Sequence, residues 1–331
     1  MDLAPAHVRR PLKRAGALGA STTVTLNQLK SWVASSATLS TAPNLTTSVP
    51  TYSQLATSAT PPIAMTGGRS FPWACTPEGA TSVVPTNAST LCSWGDRTSS
   101  KIVVLTGDSQ AGMWLPALDY AGRTMHFRAV LLAEPGCPAW GDPGAPGDSV
   151  YATITVASCD AWRASVVAYA KQVHPYAVLL AGDFRRSSTD TTVTGNTPFY
   201  LTRVGQSVTA FRASGAKVAF VGAIPQLGFS IVGGRTNAVC LSITSPVTKC
   251  ELAPSVMIDA LATTVETKVS TAKSVKIIPT SQMICTTKRC VIFVKGGGST
   301  HLVFADNWHV NRYFAAWTAP AFTQLMQNAL K

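Results

Sequence analysis

Three residue types that together make a weak hydroxyl nucleophile reactive occur in two short segments of this chain. Gly107-Asp108-Ser109 follows an apolar run, and Asp306-Asn307-Trp308-His309 lies near the C-terminus. A serine hydroxyl attacks a carbonyl at neutral pH when a histidine within hydrogen-bond reach takes its proton and a third group fixes that histidine's tautomer. Ser109, Asp306 and His309 supply these parts, in the chain order Ser, Asp, His. Gly-Asp-Ser alone is ordinary turn chemistry, so the histidine decides the matter. Of the five histidines, His7 lies in a polar tail, and His126 and His174 sit at the ends of expected elements with no carboxylate nearby. His301, close to a glycine-rich loop, is a second candidate. His309 has a carboxylate three residues before it and leads into Tyr313-Phe314-Ala315-Ala316-Trp317, the start of a last helix. A turn holding Asp306 and His309 presents both side chains to one edge of a sheet.

The elements that must position these residues alternate along the chain. Lys101 to Thr106 is a β-branched, apolar run, as expected of a strand buried on both faces. Gly107 ends it, and Ala111 to Ala121 reads as a helix with Trp114, Leu118 and Ala121 on one stripe. Pro116 within that pattern marks a kink or a late helix start. Ser109 therefore sits on a strand-to-helix turn at the carboxyl end of a strand, where open α/β sheets bind ligands. Phe127 to Leu132, Ala177 to Ala181, Lys217 to Val221 and Val275 to Ile278 read as four further strands. Helices are expected over Asp160 to Val173, with Asp160 as cap, over Pro198 to Ala213, and over Pro254 to Val269. This alternation implies a doubly wound, five-stranded parallel sheet with helices on both faces. Met283-Ile284 and Val291 to Val294 look like a small hairpin. Gly296-Gly297-Gly298-Ser299 lacks the lysine of a phosphate loop and reads as a hairpin tip. The Gly-, Pro- and Ser-rich loops Trp140 to Ala157 and Gln226 to Leu252 suit the rim of a pocket.

Composition bounds the class. With 331 residues, 46% hydrophobic and 13% charged, the chain can form one large domain with an appendage. Residues 1–70 read as a polar, linker-like and partly ordered extension, and residues 71–331 as the domain. The net charge of +12 comes from scattered Lys and Arg without a stripe or a nucleic-acid motif, so solubility is its first reading, attraction to an anionic surface or acidic polysaccharide the second, and nucleic acid is not expected. The eight cysteines fall in four close pairs, Cys75 with Cys92, Cys137 with Cys159, Cys240 with Cys250 and Cys285 with Cys290. With no zinc spacing among them, disulfides in an oxidising compartment are the reading, and no metal or cofactor is expected. Eight cysteines allow ~105 pairings, so sequential pairing is a prior. No run of about 18 apolar residues is present, and the basic N-terminus is too weakly apolar for a signal peptide. The expectation is a piece of a longer membrane protein, with a standalone exported protein as the alternative.

The pair of motifs resembles the first and last signature blocks of the SGNH, or GDSL-like, hydrolase superfamily. From about Trp73 onward the chain is similar to the extracytoplasmic SGNH domain fused behind the membrane domain of acyltransferase family three proteins, which O-acylate bacterial surface carbohydrates. Glu134-Pro135-Gly136-Cys137-Pro138, Cys159-Asp160-Ala161-Trp162-Arg163 and the Cys285/Cys290 pair carry that closer likeness, and Gln28 to Pro62 resembles the linker between the two domains. The resemblance implies a flavodoxin-like SGNH fold and an acyl-enzyme on Ser109. It also implies an acylated or acyl-accepting glycan as partner, a short acyl group such as acetyl, and an acyl donor delivered by a membrane domain absent from this chain. An extracytoplasmic location, periplasmic, cell-surface or secreted, fits the same likeness, and a monomer is expected. Two departures stand out. Gln110 replaces the family's histidine after the serine, and Gly182-Asp183-Phe184-Arg185-Arg186 stands where the family has Gly-x-Asn. The oxyanion hole is therefore assigned to the amides of Ser109 and Gly136, with Arg185 as a third candidate. Gln110, Trp140 and Asp183 are the candidates for substrate binding. A secreted esterase or lipase acting alone and a non-catalytic carbohydrate-binding domain are the alternative functions.

Overall fold

The computed structural model describes residues 23–40, 48–49, 84, 88–141, 149–151, 154–184, 192–227, 250–305 and 308–331. Its centre is a sheet of six strands, Ser93–Gly95 (β1), Ile102–Gly107 (β2), Arg128–Ala133 (β3), Ala177–Leu180 (β4), Lys217–Val221 (β5) and Lys276–Ile278 (β6). Their spatial order is β1-β3-β2-β4-β5-β6. Strands β2 to β6 are mutually parallel, and β1 runs antiparallel to β3. The five parallel strands are those expected from the sequence. The sixth, Ser93-Trp94-Gly95, is too short to show an alternation. Because the first parallel strand stands between the second and the third, the winding reverses between β2 and β4, and such a reversal opens a crevice at the carboxyl ends of the strands.

Among the described residues, the helices that flank the sheet or carry the site are Leu26–Ser36 (α1), Ser109–Gly112 (α2), Leu115–Thr124 (α3), Val156–Val173 (α4), Val193–Arg212 (α5), Ala260–Lys273 (α6), Arg312–Trp317 (α7) and Ala319–Leu330 (α8). Val103 and Leu105 of β2 join an apolar cluster with residues of α1, α3 and α8, while Val104 joins a second one with residues of α4, α5 and α6. The central strand is thus covered on both faces, which is why it reads as an unbroken apolar run.

Local chemistry shifts several boundaries. Pro116 lies in the first turn of α3, where its missing N–H has no intrahelical role, so the helix starts late and is not kinked. Helix α4 begins four residues before the expected cap. Thr155 and Ser158 cap it reciprocally, and Asp160 lies inside the helix, paired with Arg163. Pro198 is inside α5 and does not start it. The segment expected as one helix from Pro254 breaks at extended Ile258, and Asp259 caps α6 by accepting the Leu261 N–H.

Phe293–Gly296 (β7) and Ser299–Leu302 (β8) form an antiparallel hairpin. Gly297 and Gly298 at its tip have φ of 59° and 81°, the pair of positive values that a two-residue hairpin loop of the primed type requires. The expected hairpin around Cys285 and Cys290 shrinks to a single bridge between those residues, because Phe293 to Gly296 pair with β8 instead.

Within residues 1–70, the described part packs against the domain. Val24, Leu29 and Val33 are buried in the core cluster shared with α3 and α8. The Leu26 N–H donates to Gln324 Oε1 at 2.9 Å, and Ser48–Val49 pairs in parallel with β8. Two apolar residues four apart, Leu29 and Val33, are enough to seat one face of α1, yet too sparse to stand out among its Ser and Thr neighbours.

Candidate active site

The site is built on the turn that follows β2. Gly107 has φ of 148°, and a Cβ there would lie 2.0 Å from the Ala181 carbonyl oxygen. Only glycine lets the ends of β2 and β4 come this close. Asp108 follows in extended conformation and caps α2. Its Oδ1 accepts the Gln110 N–H and its Oδ2 accepts the Asp183 N–H, both at 2.8 Å. One buried carboxylate thus ties the nucleophile turn to the loop after β4. Ser109 is the first residue of α2, so its N–H has no acceptor within the helix.

His309 meets it from the other end of the chain. The loop between β8 and α7 is closed by an antiparallel bridge between Phe304 and Val310, and the Ala305 N–H donates to the His309 carbonyl at 2.9 Å. His309 Nε2 then lies 2.8 Å from Ser109 Oγ, hydrogen-bond distance for a general base and its nucleophile. Buried Asn311 holds this loop. Its amide Nδ2 donates to the Leu302 carbonyl, its backbone N–H donates to Val303 at 2.8 Å, and its Oδ1 accepts the N–H groups of Tyr313 and Phe314 to cap α7. The role of Asn311 was missed in the sequence, though an asparagine directly before Arg312-Tyr313-Phe314 is a helix-start signal. Asp306 and Arg185 lie outside the described residues.

Gly136 stands at the carboxyl end of β3, the neighbour of β2. Glu134-Pro135-Gly136-Cys137 is a turn closed by the Cys137 N–H on the Glu134 carbonyl at 2.9 Å, with Gly136 at φ 75°. Proline second and a positive φ third make it a type II turn. The Glu134 N–H donates to the Gly107 carbonyl at 2.9 Å, so the two turns that carry the Ser109 and Gly136 amides are joined. A disulfide from Cys137 to Cys159 pins the Gly136 turn to α4. Gly182, at φ 152°, completes the contact, since a Cβ there would meet Pro138 at 2.6 Å.

The substrate candidates are placed differently from one another. Gln110 is buried in α2 beside Ser109. Asp183 turns its carboxylate back on its own chain, where Oδ1 accepts the Phe184 N–H at 2.9 Å. Trp140 is 2% exposed and stacked on Phe184 at 4.4 Å, with Phe220 edge-on. That stacking face is therefore taken by the protein, and an open sugar platform at Trp140 is not what the structure presents. His301 stacks on Trp317 at 3.6 Å, where burial holds its pKa down to about 4, so it is packed among aromatics in the core. The Cys285–Cys290 disulfide is closed, and Cys92 and Cys250 are each disulfide-bonded. Their expected partners Cys75 and Cys240 lie outside the described residues.

Comparison with known proteins places the chain in a family. A family model described as the SGNH domain fused to AT3 domains matches residues 74–324. The chain belongs to that family. Among solved structures, this SGNH domain is similar to the periplasmic domain of a lipopolysaccharide acetyltransferase from Salmonella ser. Paratyphi A. The identity is 14% and the TM-score 0.53, over 75% of this chain and 90% of that one. A GDSL-like lipase from Bacteroides thetaiotaomicron matches at 11% identity and TM-score 0.37, over 70% of this chain and 89% of the other. No curated protein matches the chain. Among the described residues no helix is long and apolar enough to cross a membrane.

Proposed function

We propose that this SGNH domain carries out serine-dependent acyl transfer or ester hydrolysis on O-acylated cell-envelope carbohydrate, through an acyl-enzyme on Ser109. The observation that carries the reading is the 2.8 Å approach of His309 Nε2 to Ser109 Oγ at the carboxyl edge of the sheet, beside the winding reversal. In the first half-reaction Oγ bonds to the acyl carbon while its proton passes to Nε2. The leaving alcohol then takes that proton as its bond to the acyl carbon breaks. In the second, an incoming hydroxyl gives its proton to Nε2, bonds to the acyl carbon and displaces Oγ. Asp306, three residues before His309, is the group that fixes the imidazole tautomer and stabilises its cation. The Ser109 and Gly136 amides receive the developing oxyanion.

Fusion to a membrane acyltransferase domain in this family supports an extracytoplasmic location and an acyl donor supplied across the membrane, with a glycan hydroxyl as acceptor. Disulfides support the same compartment. The deciding experiment is mass spectrometry after treatment with a fluorophosphonate. Ser109 should be labelled in the wild type and not in His309→Ala, and labelling of any other serine in its place removes the assignment. Turnover of p-nitrophenyl acetate with and without an O-acyl-accepting glycan then distinguishes transferase from esterase.

A further inference from the structure

We propose that a cavity between α4, α5 and the chain following Cys137 binds a carboxylate-bearing sugar. The cavity measures ≈ 320 Å³, and its lining includes Thr106, Trp140, Arg163, Arg203, Gln206 and Ser207. That size lies at the lower end of small-molecule sites, which begin near about 300 Å³, and suits one sugar ring. Val166, Val167, Ala210 and Phe211 give it an apolar wall, so an inorganic ion would leave most of it unfilled.

The charged side is poised for an anion. Arg163 is 12% exposed, and it donates to the Pro138 carbonyl at 3.2 Å and to Asp160 Oδ1 at 2.5 Å. Arg203, 36% exposed, reaches only to 3.6 Å of the same Asp160 oxygen, and among the described residues it makes no hydrogen bond. Arg203 shares the Asp160 oxygen with Arg163, and its fork keeps donors available for a planar carboxylate. Gly141, at φ 125°, passes over the pair, since a Cβ there would lie 3.3 Å from Arg203 Nε and 3.8 Å from Arg163 Nη2. In the proposed complex the sugar carboxylate meets Arg203 and the ring lies against the apolar wall.

The inference does not depend on acyl chemistry at Ser109. It does place the cavity near it, because Thr106 precedes Ser109 by three residues, roughly 11 Å of chain at most. The same sugar carboxylate is presented by a free uronate or by a uronate unit in a glycan.

Isothermal titration calorimetry of the whole chain with sodium glucuronate, glucose and inorganic phosphate tests it. Saturable binding of glucuronate is expected, with glucose and phosphate at least tenfold weaker. Arg203→Gln should weaken glucuronate at least tenfold. Asp160→Asn should tighten it severalfold by removing the competing carboxylate, a gain that misfolding cannot produce. Ser109→Ala should bind as the wild type does, so a failed triad would show in serine labelling and not here. Tighter binding of an oligouronate than of glucuronate assigns the ligand to a glycan chain, and equal binding assigns it to the free sugar. Absence of saturation, glucose or phosphate binding as tightly as glucuronate, or indifference to both cavity variants would overturn the proposal.

Discussion

Ser109 Oγ and His309 Nε2 stand 2.8 Å apart across 200 residues of sequence, and each is held by its own clasp. Asp108 fixes the serine turn through the N–H groups of Gln110 and Asp183, and Asn311 fixes the histidine loop through Leu302 and the first turn of α7. Both side chains are therefore presented by neighbours held through several hydrogen bonds, the arrangement that the proposed proton transfer requires.

If the pair acts as one unit, Ser109→Ala and His309→Ala each lower turnover of p-nitrophenyl acetate by roughly 10⁴–10⁶-fold, and the double variant is scarcely worse than either. Near-multiplicative losses in the double variant would mean that the two side chains act independently. A single variant keeping about a tenth or more of the wild-type rate would remove that residue from the mechanism.

Asn311 offers a finer test, because its amide has two duties. Asn311→Ala removes the cap of α7 and the bond to Leu302, and should cost about 1.5–3 kcal/mol in urea unfolding. Asn311→Asp retains an acceptor for Tyr313 and Phe314 while placing a carboxylate against the Leu302 carbonyl. It should restore part of the cap but not the rate of ester cleavage, since the loop presenting His309 is still repelled. Full activity in the aspartate variant would show that the Leu302 bond does not position His309.

Much of this was legible in the sequence, for reasons that differ by element. The central strands are buried on both faces, so Ile102 to Gly107 and Ala177 to Leu180 could be read from apolar runs alone. The meeting of Ser109 with His309 was legible because few residue types do nucleophilic chemistry and only these two segments pair them with a carboxylate. The edge strand Ser93–Gly95 carries no pattern of its own and exists because Arg128–Ala133 offers it a partner. Helix α1 was hidden for a related reason, since its burial depends on Gln324 and on the core face of α8, nearly 300 positions away. The clasp of Asp108 on Asp183 could not be foreseen either. It needs the ends of β2 and β4 side by side, and adjacency is a property of strand order.

Stability should also carry a signature of two buried carboxyls. Glu266 Oε1 accepts the Ala223 N–H at 3.0 Å, and burial pushes its pKa up to about 8. Burial likewise pushes Glu251, which accepts the Ile292 N–H, up to about 7. Between the ordinary carboxyl value, about 4.3, and these raised ones, the folded chain holds protons that the unfolded chain has released. Their stabilisation is complete at low pH and is lost as pH rises through 7 and 8. His301, held down to about 4, acts in the opposite sense, and its share rises with pH up to about 6.5. The decline should therefore be steepest between about pH 6.5 and 7 and end above about pH 8. Glu266→Gln keeps the acceptor for Ala223 without a proton to lose, so its Tm should fall less between pH 6.5 and 8.5 than that of the wild type. An unchanged slope would mean that Glu266 is already ionised in the folded chain at neutral pH.

The Cys137–Cys159 disulfide separates a stabilising role from a catalytic one. It closes a sequence separation of 22, against 5 for Cys285–Cys290, so chain entropy alone predicts about 3 kcal/mol for the first and about 2 kcal/mol for the second. The first also anchors the residue directly after Gly136, whose amide is assigned to the oxyanion. Replacing Cys137 and Cys159 with alanine should thus lower Tm more than replacing Cys285 and Cys290, and should lower kcat with little change in KM, since an oxyanion contact is made only in the transition state. A matching loss of Tm with kcat intact would keep the disulfide as a brace and take the Gly136 amide out of the oxyanion hole.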